Sequence, residues 1–242
     1  MSRSPRRTDL AAGYLLHHHP YRDTSRILEV FTREHGRMTL FARGVRGPAA
    51  RLAPVLQPFQ PLLLSWSGRG EAAQLTGAER AEGCTALPAA AVLAGFYLNE
   101  LLLKLTTRHD PQPELYDHYH AALAALRTGA AVAAPLRLFE KRLLEGLGYG
   151  LDLHSEALSG RRIEAQGWYA FHPGQGLIGV PAAAEGALPG SSLLALAAEQ
   201  LAEARPLEDA RRLLTAAIAA CLEGRPLSTR AVARAVRREA AP

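Results

Sequence analysis

Apolar and polar positions alternate with a period of two along much of residues 1–82, and this period predicts β-strands. In the clearest segment, Gly36–Arg43, one face is apolar and consists of Met38, Leu40 and Ala42. The opposite face combines a ring with two guanidinium groups and consists of Arg37, Thr39, Phe41 and Arg43. Successive side chains of a strand point to opposite sides, so the first face is expected to pack and the second to be available to a ligand.

Four further short runs have the composition of strands: Gly13–His18, Ser25–Thr32, Pro58–Trp66 and Glu71–Thr76. The tripeptide Glu34-His35-Gly36 predicts a hairpin turn, since glycine accepts positive φ. Five short strands, with no helix between most of them, are typical of a small closed barrel such as the OB-fold.

After Gly83 the pattern changes to that of helices, which are predicted at Ala89–Leu105, Glu114–Arg127, Leu136–Leu147, Ser191–Ala204, Leu207–Glu223 and Ser228–Arg238. Ser191 and Ser228 are candidate helix caps. Residues 149–190 are rich in glycine and contain two possible short strands. The sequence thus predicts an α+β protein: an OB-fold barrel over residues 1–82, then a mainly helical domain over residues 83–242 with a small β excursion at 149–190.

Positive charge is concentrated in the predicted barrel. The net charge is +5, with 28 Lys and Arg against 23 Asp and Glu. All of the excess lies in residues 1–82, and no acidic residue falls between Glu34 and Glu71. Such a segment attracts polyanions, of which nucleic acid is the commonest. The alternative is a solvated basic face without a ligand.

A DNA-contacting surface is therefore predicted in the barrel. Two guanidinium groups beside the ring of Phe41 would combine phosphate contacts with base stacking. The alternative places Phe41 inside the barrel and leaves the arginines merely solvated. The predicted set is Arg22, Arg26, Arg37, Phe41, Arg43, Arg46, Arg51 and Arg69.

Metal and catalytic chemistry are not indicated by the motifs. His17-His18-His19 would alternate across a strand and so cannot converge on one ion. Cys84 and Cys221 stand alone. The chain has no GxSxG, HExxH or paired loop carboxylates. We expect no metal, no cofactor and no enzyme; a nuclease is the alternative.

A second basic cluster lies on the helix Leu136–Leu147, where Arg137, Lys141 and Arg142 flank apolar residues. Spacing by four predicts that Arg137 and Lys141 meet on the surface. A basic spot beside an apolar groove would receive an acidic peptide with a hydrophobic end. The alternative is an amphipathic core helix with exposed charges. Since no apolar run is long enough to span a bilayer, we expect a soluble, cytoplasmic protein without membrane partners.

An ordered series of motifs resembles the bacterial RecO family of recombination mediators and DNA repair proteins. The barrel segments are Gly13-Tyr-Leu-Leu-His-His-His-Pro-Tyr-Arg-Asp-Thr-Ser25, Phe31-Thr-Arg-Glu-His-Gly-Arg37, Phe41-Ala-Arg-Gly44, Leu56-Gln-Pro-Phe-Gln-Pro-Leu-Leu-Leu64 and Gly68-Arg-Gly-Glu71. The later segments are Tyr97-Leu-Asn-Glu-Leu-Leu102, Arg137-Leu-Phe-Glu140, Leu147-Gly-Tyr149 and Gly224-Arg-Pro-Leu-Ser-Thr-Arg230.

The resemblance implies an N-terminal OB-fold, a helical C-terminal domain and binding to single- and double-stranded DNA near the nucleoid. It implies annealing of complementary strands and help in loading RecA onto strands coated by the single-strand binding protein (SSB). The implied partners are RecR, in some members RecF, and the acidic tail of SSB, which the helix carrying Arg137 would receive. The alternative is a protein-docking adaptor of a repair complex, for which DNA contact is incidental.

Two departures from the family pattern concern zinc and the DNA-binding loop. Many relatives hold zinc in a four-cysteine knuckle after the Leu-Gly-Tyr motif, whereas Leu151–Arg161 contains no cysteine. The chain therefore resembles a zinc-free branch. Relatives often carry a lysine-rich loop after the Ala-Arg-Gly segment, whereas Val45–Leu52 keeps only Arg46 and Arg51.

Overall fold

The structure is a computed structural model that describes residues 7–45, 51–68, 73–81, 83, 85–129 and 132–239. The chain forms two compact units: residues 1–129 together with 229–242, and residues 130–228. The second unit is therefore an insertion between two segments of the first. The division after residue 82, which separates the barrel from the helices by fold type, stays a prediction.

Five strands form a closed barrel in the first unit. They are β1 (Arg7–Tyr21), β2 (Ser25–Thr32), β3 (Gly36–Ala42), β4 (Pro61–Ser67) and β5 (Ala73–Arg80), in the order β1-β2-β3-β5-β4. All neighbours are antiparallel except β3 and β5, which pair in parallel through two residue pairs. The predicted α+β class and the five-stranded barrel are confirmed, although β1 is longer than the predicted Gly13–His18.

The alternation along β3 decides which side chains fill the barrel. Met38, Leu40 and Ala42 belong to its core and pack with residues such as Leu28 and Val30 of β2. The register places the outward residues of β3 beside outward residues of β2, because Phe41 pairs with Ile27, Thr39 with Glu29 and Arg37 with Phe31. The predicted assignment of the two faces of β3 is correct.

The turn between β2 and β3 requires glycine for two reasons. Gly36 has a φ of 67°, in the left-handed region that side chains disfavour. A Cβ atom at this position would lie 2.1 Å from the carbonyl oxygen of Asp110. The turn is fixed further by Thr32, whose hydroxyl donates a 3.0 Å hydrogen bond to the Gly36 carbonyl.

Six helices follow the barrel in the described part of the chain: α1 (Ala89–Leu105), α2 (Pro113–Arg127), α3 (Ala133–Gly146), α4 (Gly190–Ala197), α5 (Ala204–Leu222) and α6 (Ser228–Glu239). In the first unit, helix α2 packs on the barrel through Tyr119, whose ring centroid lies 5.0 Å from that of Tyr14 in β1. The Tyr119 hydroxyl donates to Asn99 Oδ1 at 2.5 Å. Asn99 of α1 in turn donates to the carbonyl oxygen of Leu16 in β1 at 2.9 Å. Burial raises the pKa of Tyr119, which stays a neutral donor.

The second unit combines α3, α4 and α5 with a three-stranded sheet. Its strands are β6 (Trp168–His172), β7 (Gly176–Gly179) and β8 (Leu188–Pro189), in the order β7-β6-β8. They lie within the predicted β excursion at 149–190. None of the described helices is long and apolar enough to cross a membrane.

Helix α4 departs from its prediction at both ends. Its N-cap is Pro189 and has no side-chain cap, so the predicted cap at Ser191 is wrong. The helix ends at Ala197 rather than Ala204, because the chain turns at Glu199, which has a φ of 59°. Alanine and leucine made residues 198–204 look helical, but that stretch is where the chain reverses.

The two reasons for glycine at the β2–β3 turn can be separated by a matched pair of alanine substitutions. Gly44 has a φ of 62°, close to that of Gly36, but no described atom lies within 4 Å of the position that a Cβ would occupy there. Gly44→Ala should therefore lower the free energy of unfolding only by the backbone cost of about 1–2 kcal/mol.

Gly36→Ala should add a steric cost of roughly 1–3 kcal/mol, because the Cβ would collide with the backbone of Asp110. Urea unfolding curves of the two variants measure this difference. Equal destabilisation would show that the close approach to Asp110 is not formed.

Candidate nucleic-acid interface

A groove lies at one end of the barrel, between the β1–β2 turn and the end of β3. We call it the hairpin-end groove; its volume is about 600 Å³ and its lining residues are Tyr21, Arg22, Asp23, Thr24, Ser25, Phe41 and Arg43. The two segments are joined because the Val45 amide donates a 2.9 Å hydrogen bond to the Thr24 carbonyl. The turn between β1 and β2 therefore faces the chain that leaves β3.

Two aromatic rings meet at the hairpin-end groove. The centroids of Tyr21 and Phe41 are 4.7 Å apart, and their planes are inclined by 77°. The guanidinium carbon of Arg22 lies 5.3 Å from the centre of the Tyr21 ring, within the range of a cation–π contact. Neither ring belongs to the barrel core. The alternative in which Phe41 points into the barrel is therefore wrong.

The predicted DNA-contacting arginines occupy different environments. Arg22 and Arg43 are exposed at the groove, and Arg51 is exposed in the loop before β4, where its neighbour Leu52 packs against the barrel core. Arg26 is half-buried and pairs in register with Ala42 at the groove end of β3. No ion pair joins Arg26, Arg43 or Arg51 to another residue that the structure describes. The predicted residues Arg46 and Arg69 lie outside the described residues.

Arg37, in contrast, is held by an ion pair and hydrogen bonds within the protein. Its side chain is only 13% exposed and lies 3.2 Å from the Glu29 carboxylate. Its Nη2 donates to the Thr106 carbonyl at 2.8 Å, and its Nε donates to the Thr106 hydroxyl at 3.2 Å. Arg108 also pairs with Glu29, and Thr39 donates to the same carboxylate at 2.8 Å. We call Glu29, Arg37, Thr39, Thr106 and Arg108 the Glu29 network.

The Glu29 network divides the face that the sequence predicts on β3. Glu29 is 7% exposed, and a buried carboxylate requires charged or hydrogen-bonding partners. Arg37 supplies one of these partners, and its carbonyl oxygen accepts a hydrogen bond from the His109 amide at 2.8 Å. The expectation that Arg37 and Phe41 form one open face is therefore corrected: Arg37 ties β3 to the segment after α1, and Phe41 lies at the groove.

The three adjacent histidines do not converge on one point. His17 pairs in register with Glu29, His18 with Leu28 and His19 with Ile27, so they alternate along β1 as predicted. Burial is the main cause that lowers the pKa of His17 and of His18. Both rings are thus mainly neutral at pH 7 and add little positive charge. The described residues contain no group of three or more metal-ligating side chains arranged around an ion.

The basic cluster on α3 is not an open surface. Arg137 and Lys141 are 7% and 8% exposed, so the prediction that they meet on the surface is wrong. Arg137 pairs with buried Glu140 at 2.7 Å. Lys141 pairs with Glu145 at 3.0 Å and with Glu199 at 3.1 Å.

Arg142 is the most accessible cation of this cluster, with 36% of its side chain exposed. It contacts the same two carboxylates as Lys141, those of Glu145 and Glu199. Two acidic side chains thus neutralise two basic ones. Arg137 and Lys141 lie among the buried residues of α3, so spacing by four does not bring them to the surface.

Three residues of the first unit were not identified from the sequence: Tyr21, Glu29 and Arg108. Tyr21 reaches the groove because β1 and β2 pair as a hairpin in which Tyr21 lies opposite Ser25. The turn-forming residues between Tyr21 and Ser25 were the signal that could have revealed it. Glu29 and Arg108 were not recognisable, because their pairing joins positions far apart in the sequence.

Known proteins resemble the chain over almost its whole length. A family model described as "Recombination protein O N terminal" matches residues 9–84, and one described as "Recombination protein O C terminal" matches residues 89–231. The chain is 45% identical over 227 residues to the DNA repair protein RecO of Methylococcus capsulatus, covering 93% of each chain. It is 43% identical over 234 residues to the RecO of Nitrosococcus oceani, covering 96% of this chain and 95% of the relative.

The contrast between Arg37 and Arg43 gives a stability test. Arg37→Ala should lower the free energy of unfolding by about 2–4 kcal/mol, because it leaves the buried Glu29 carboxylate without one of its partners. Arg43→Ala should leave it nearly unchanged, since Arg43 is exposed and joins no ion pair with a described residue. Denaturant unfolding measures both, and equal effects would contradict the Glu29 network.

Proposed function

The chain belongs to the RecO family of DNA repair proteins, and we propose that within this role it is a recombination mediator that binds DNA directly. It acts by holding DNA rather than by catalysing a reaction, as befits a family of repair proteins that are not enzymes. We further propose that it anneals complementary strands and helps RecA to load on strands coated by SSB. For this role we propose that the protein acts in the cytoplasm, at the nucleoid.

Annealing needs no covalent chemistry, because its main barrier is electrostatic. Two phosphate backbones repel each other, and a cationic surface that holds both reduces that repulsion. On the barrel, the exposed arginines Arg22, Arg43 and Arg51 and the half-buried Arg26 would supply such a surface. Both single- and double-stranded DNA carry the phosphates that it would contact.

The observation that supports DNA binding most directly is the hairpin-end groove. It combines the exposed arginines Arg22 and Arg43 with the rings of Tyr21 and Phe41. Oligonucleotide-binding barrels use this combination, in which guanidinium groups contact phosphates and rings stack on bases. We propose Arg22, Arg26, Arg43 and Phe41 as DNA contacts at this end of the barrel and Arg51 as a further phosphate contact. Arg46 and Arg69 remain proposed contacts from sequence alone.

The partners proposed for the chain are RecR, in some contexts RecF, and the acidic tail of SSB. For the tail, Arg142 is the residue that a partner carboxylate would reach first, because Arg137 and Lys141 are buried. An incoming carboxylate would have to replace Glu199, which contacts both Lys141 and Arg142. Tail binding would therefore be an exchange of one carboxylate for another.

The salt dependence of binding tests the DNA contacts. Arg43→Ala should weaken binding to a fluorescent single-stranded oligonucleotide and flatten the log–log slope of affinity against salt by about 0.7 for one lost phosphate contact. Arg162→Ala is the control, because Arg162 is an exposed arginine of the second unit. Fluorescence anisotropy at several salt concentrations gives both quantities. An Arg22→Ala, Arg43→Ala double variant with unchanged affinity and slope would refute this contact surface.

The proposed exchange at Glu199 predicts a gain of affinity. Glu199→Gln should strengthen binding of an acidic peptide that ends in apolar residues by up to about fivefold, because the carboxylate that competes for Arg142 is removed. Glu185→Gln is the control, since Glu185 is an exposed carboxylate elsewhere in the same unit.

Arg142→Ala should weaken binding of the same peptide. Isothermal titration calorimetry measures the peptide affinity of all three variants. A Glu199→Gln variant that binds no better than the parent would exclude the exchange. If Arg142→Ala abolished DNA annealing as well as peptide binding, separate DNA and protein surfaces would be excluded.

A further inference from the structure

The histidine run on β1 brings two of its three rings together on one side of the strand. His17 and His19 are both exposed, whereas His18 is half-buried. His18 pairs in register with Leu28, which belongs to the barrel core. Since successive side chains of a strand point to opposite sides, His17 and His19 share the outer side of β1. Their ring centroids are 4.4 Å apart, so two imidazoles meet on an open surface.

We infer that His17 and His19 together bind one divalent transition metal ion, such as Ni²⁺, Cu²⁺ or Zn²⁺. Imidazole nitrogens are among the preferred ligands of these ions. Exposed side chains change rotamer readily, so the two rings can turn one nitrogen each towards a common ion. The expectation of no metal concerned three adjacent histidines, and the alternation behind it excludes His18 but not the outer pair.

An ion held by this pair would keep open coordination positions. Glu29 pairs in register with His17. Its carboxylate is already held by Arg37, Thr39 and Arg108. No group of three or more metal-ligating side chains occurs in the described part of the chain. The site therefore differs from a closed structural zinc site and leaves room for water or an anionic ligand on the ion.

The position of the pair indicates which ligand an open coordination position would take. Tyr21 follows His19 at the same two-residue spacing along β1. Ile27 pairs with His19 on one side and with Phe41 on the other. The pair thus flanks the two rings of the hairpin-end groove. A dication bound there would add positive charge and could accept a phosphate oxygen of DNA; this consequence rests on the proposed function.

Metal titration of the full chain without a histidine tag tests the site in the absence of DNA. In isothermal titration calorimetry, His17→Asn and His19→Asn should each weaken the tightest binding of Ni²⁺ at least about tenfold, because a chelate becomes a single imidazole. The electron paramagnetic resonance spectrum of the parent protein with one equivalent of Cu²⁺ should show nitrogen splitting from two imidazoles. Each variant should lose this two-nitrogen pattern.

His18→Asn is the matched control, because it removes the neighbouring ring on the other side of the strand. His154→Asn is a second control, since His154 is exposed in the second unit. Both should keep the parent affinity for Ni²⁺, and circular dichroism checks that every variant is folded. If a folded His17→Asn or His19→Asn variant bound Ni²⁺ as tightly as the parent, the site would be overturned. A parent spectrum with a single imidazole would also overturn it.

Oligothymidylate binding tests the phosphate contact of the ion. Saturating Ni²⁺ should raise the affinity of the parent at least about twofold, because one cationic contact is added. It should leave a His17→Asn, His19→Asn double variant unchanged. If bound Ni²⁺ did not change the affinity of the parent, the phosphate contact would be overturned and the metal site would stand. Failure to bind DNA both with and without Ni²⁺ would overturn the proposed function itself.

Discussion

The constraint on which the barrel and its groove depend is the alternation along β3. Met38, Leu40 and Ala42 must face inwards to fill the barrel, so Arg37, Thr39 and Phe41 are forced to its outer side. What covers the outer side then decides the role of each residue. The segment after α1 covers Arg37, whose cation becomes part of the Glu29 network. Phe41 is left at the groove.

Charge density alone does not separate exposed cations from structural ones. Arg37 and Arg43 fall in the same stretch without acidic residues, yet the first is held by Glu29 and Thr106 and the second is exposed. The same distinction applies in the second unit, where Lys141 is held by Glu145 and Glu199. A buried charge needs a partner, and the partner can come from any part of the chain.

Local sequence determined much of the fold. Helix α1 was predicted with the bounds Ala89–Leu105 that the structure shows, because a long run of alanine and leucine follows Pro88. Strand β1 was predicted too short, since the register with β2 shifts between Leu15 and His17, and its polar ends do not look like a strand. Helix α4 was predicted too long, because composition does not reveal the turn at Glu199.

The candidate site was predictable in part. The period of β3 was sufficient to place Phe41 outside the barrel, whereas Tyr21 required the register of the β1–β2 hairpin. The burial of Arg37 depends on Thr106, which lies 69 residues away in the sequence. No local pattern reports such a contact, and this is why the sequence assigned Arg37 to the DNA surface.

The central claim is that a DNA strand lies on the hairpin-end groove, and photo-crosslinking tests it most directly. A single strand that contains a halogenated pyrimidine would be irradiated in complex with the protein, and the attached peptides would be identified by mass spectrometry. The account predicts attachment at Tyr21 or Phe41. Attachment confined to aromatic residues of the second unit, such as Tyr149, would contradict it.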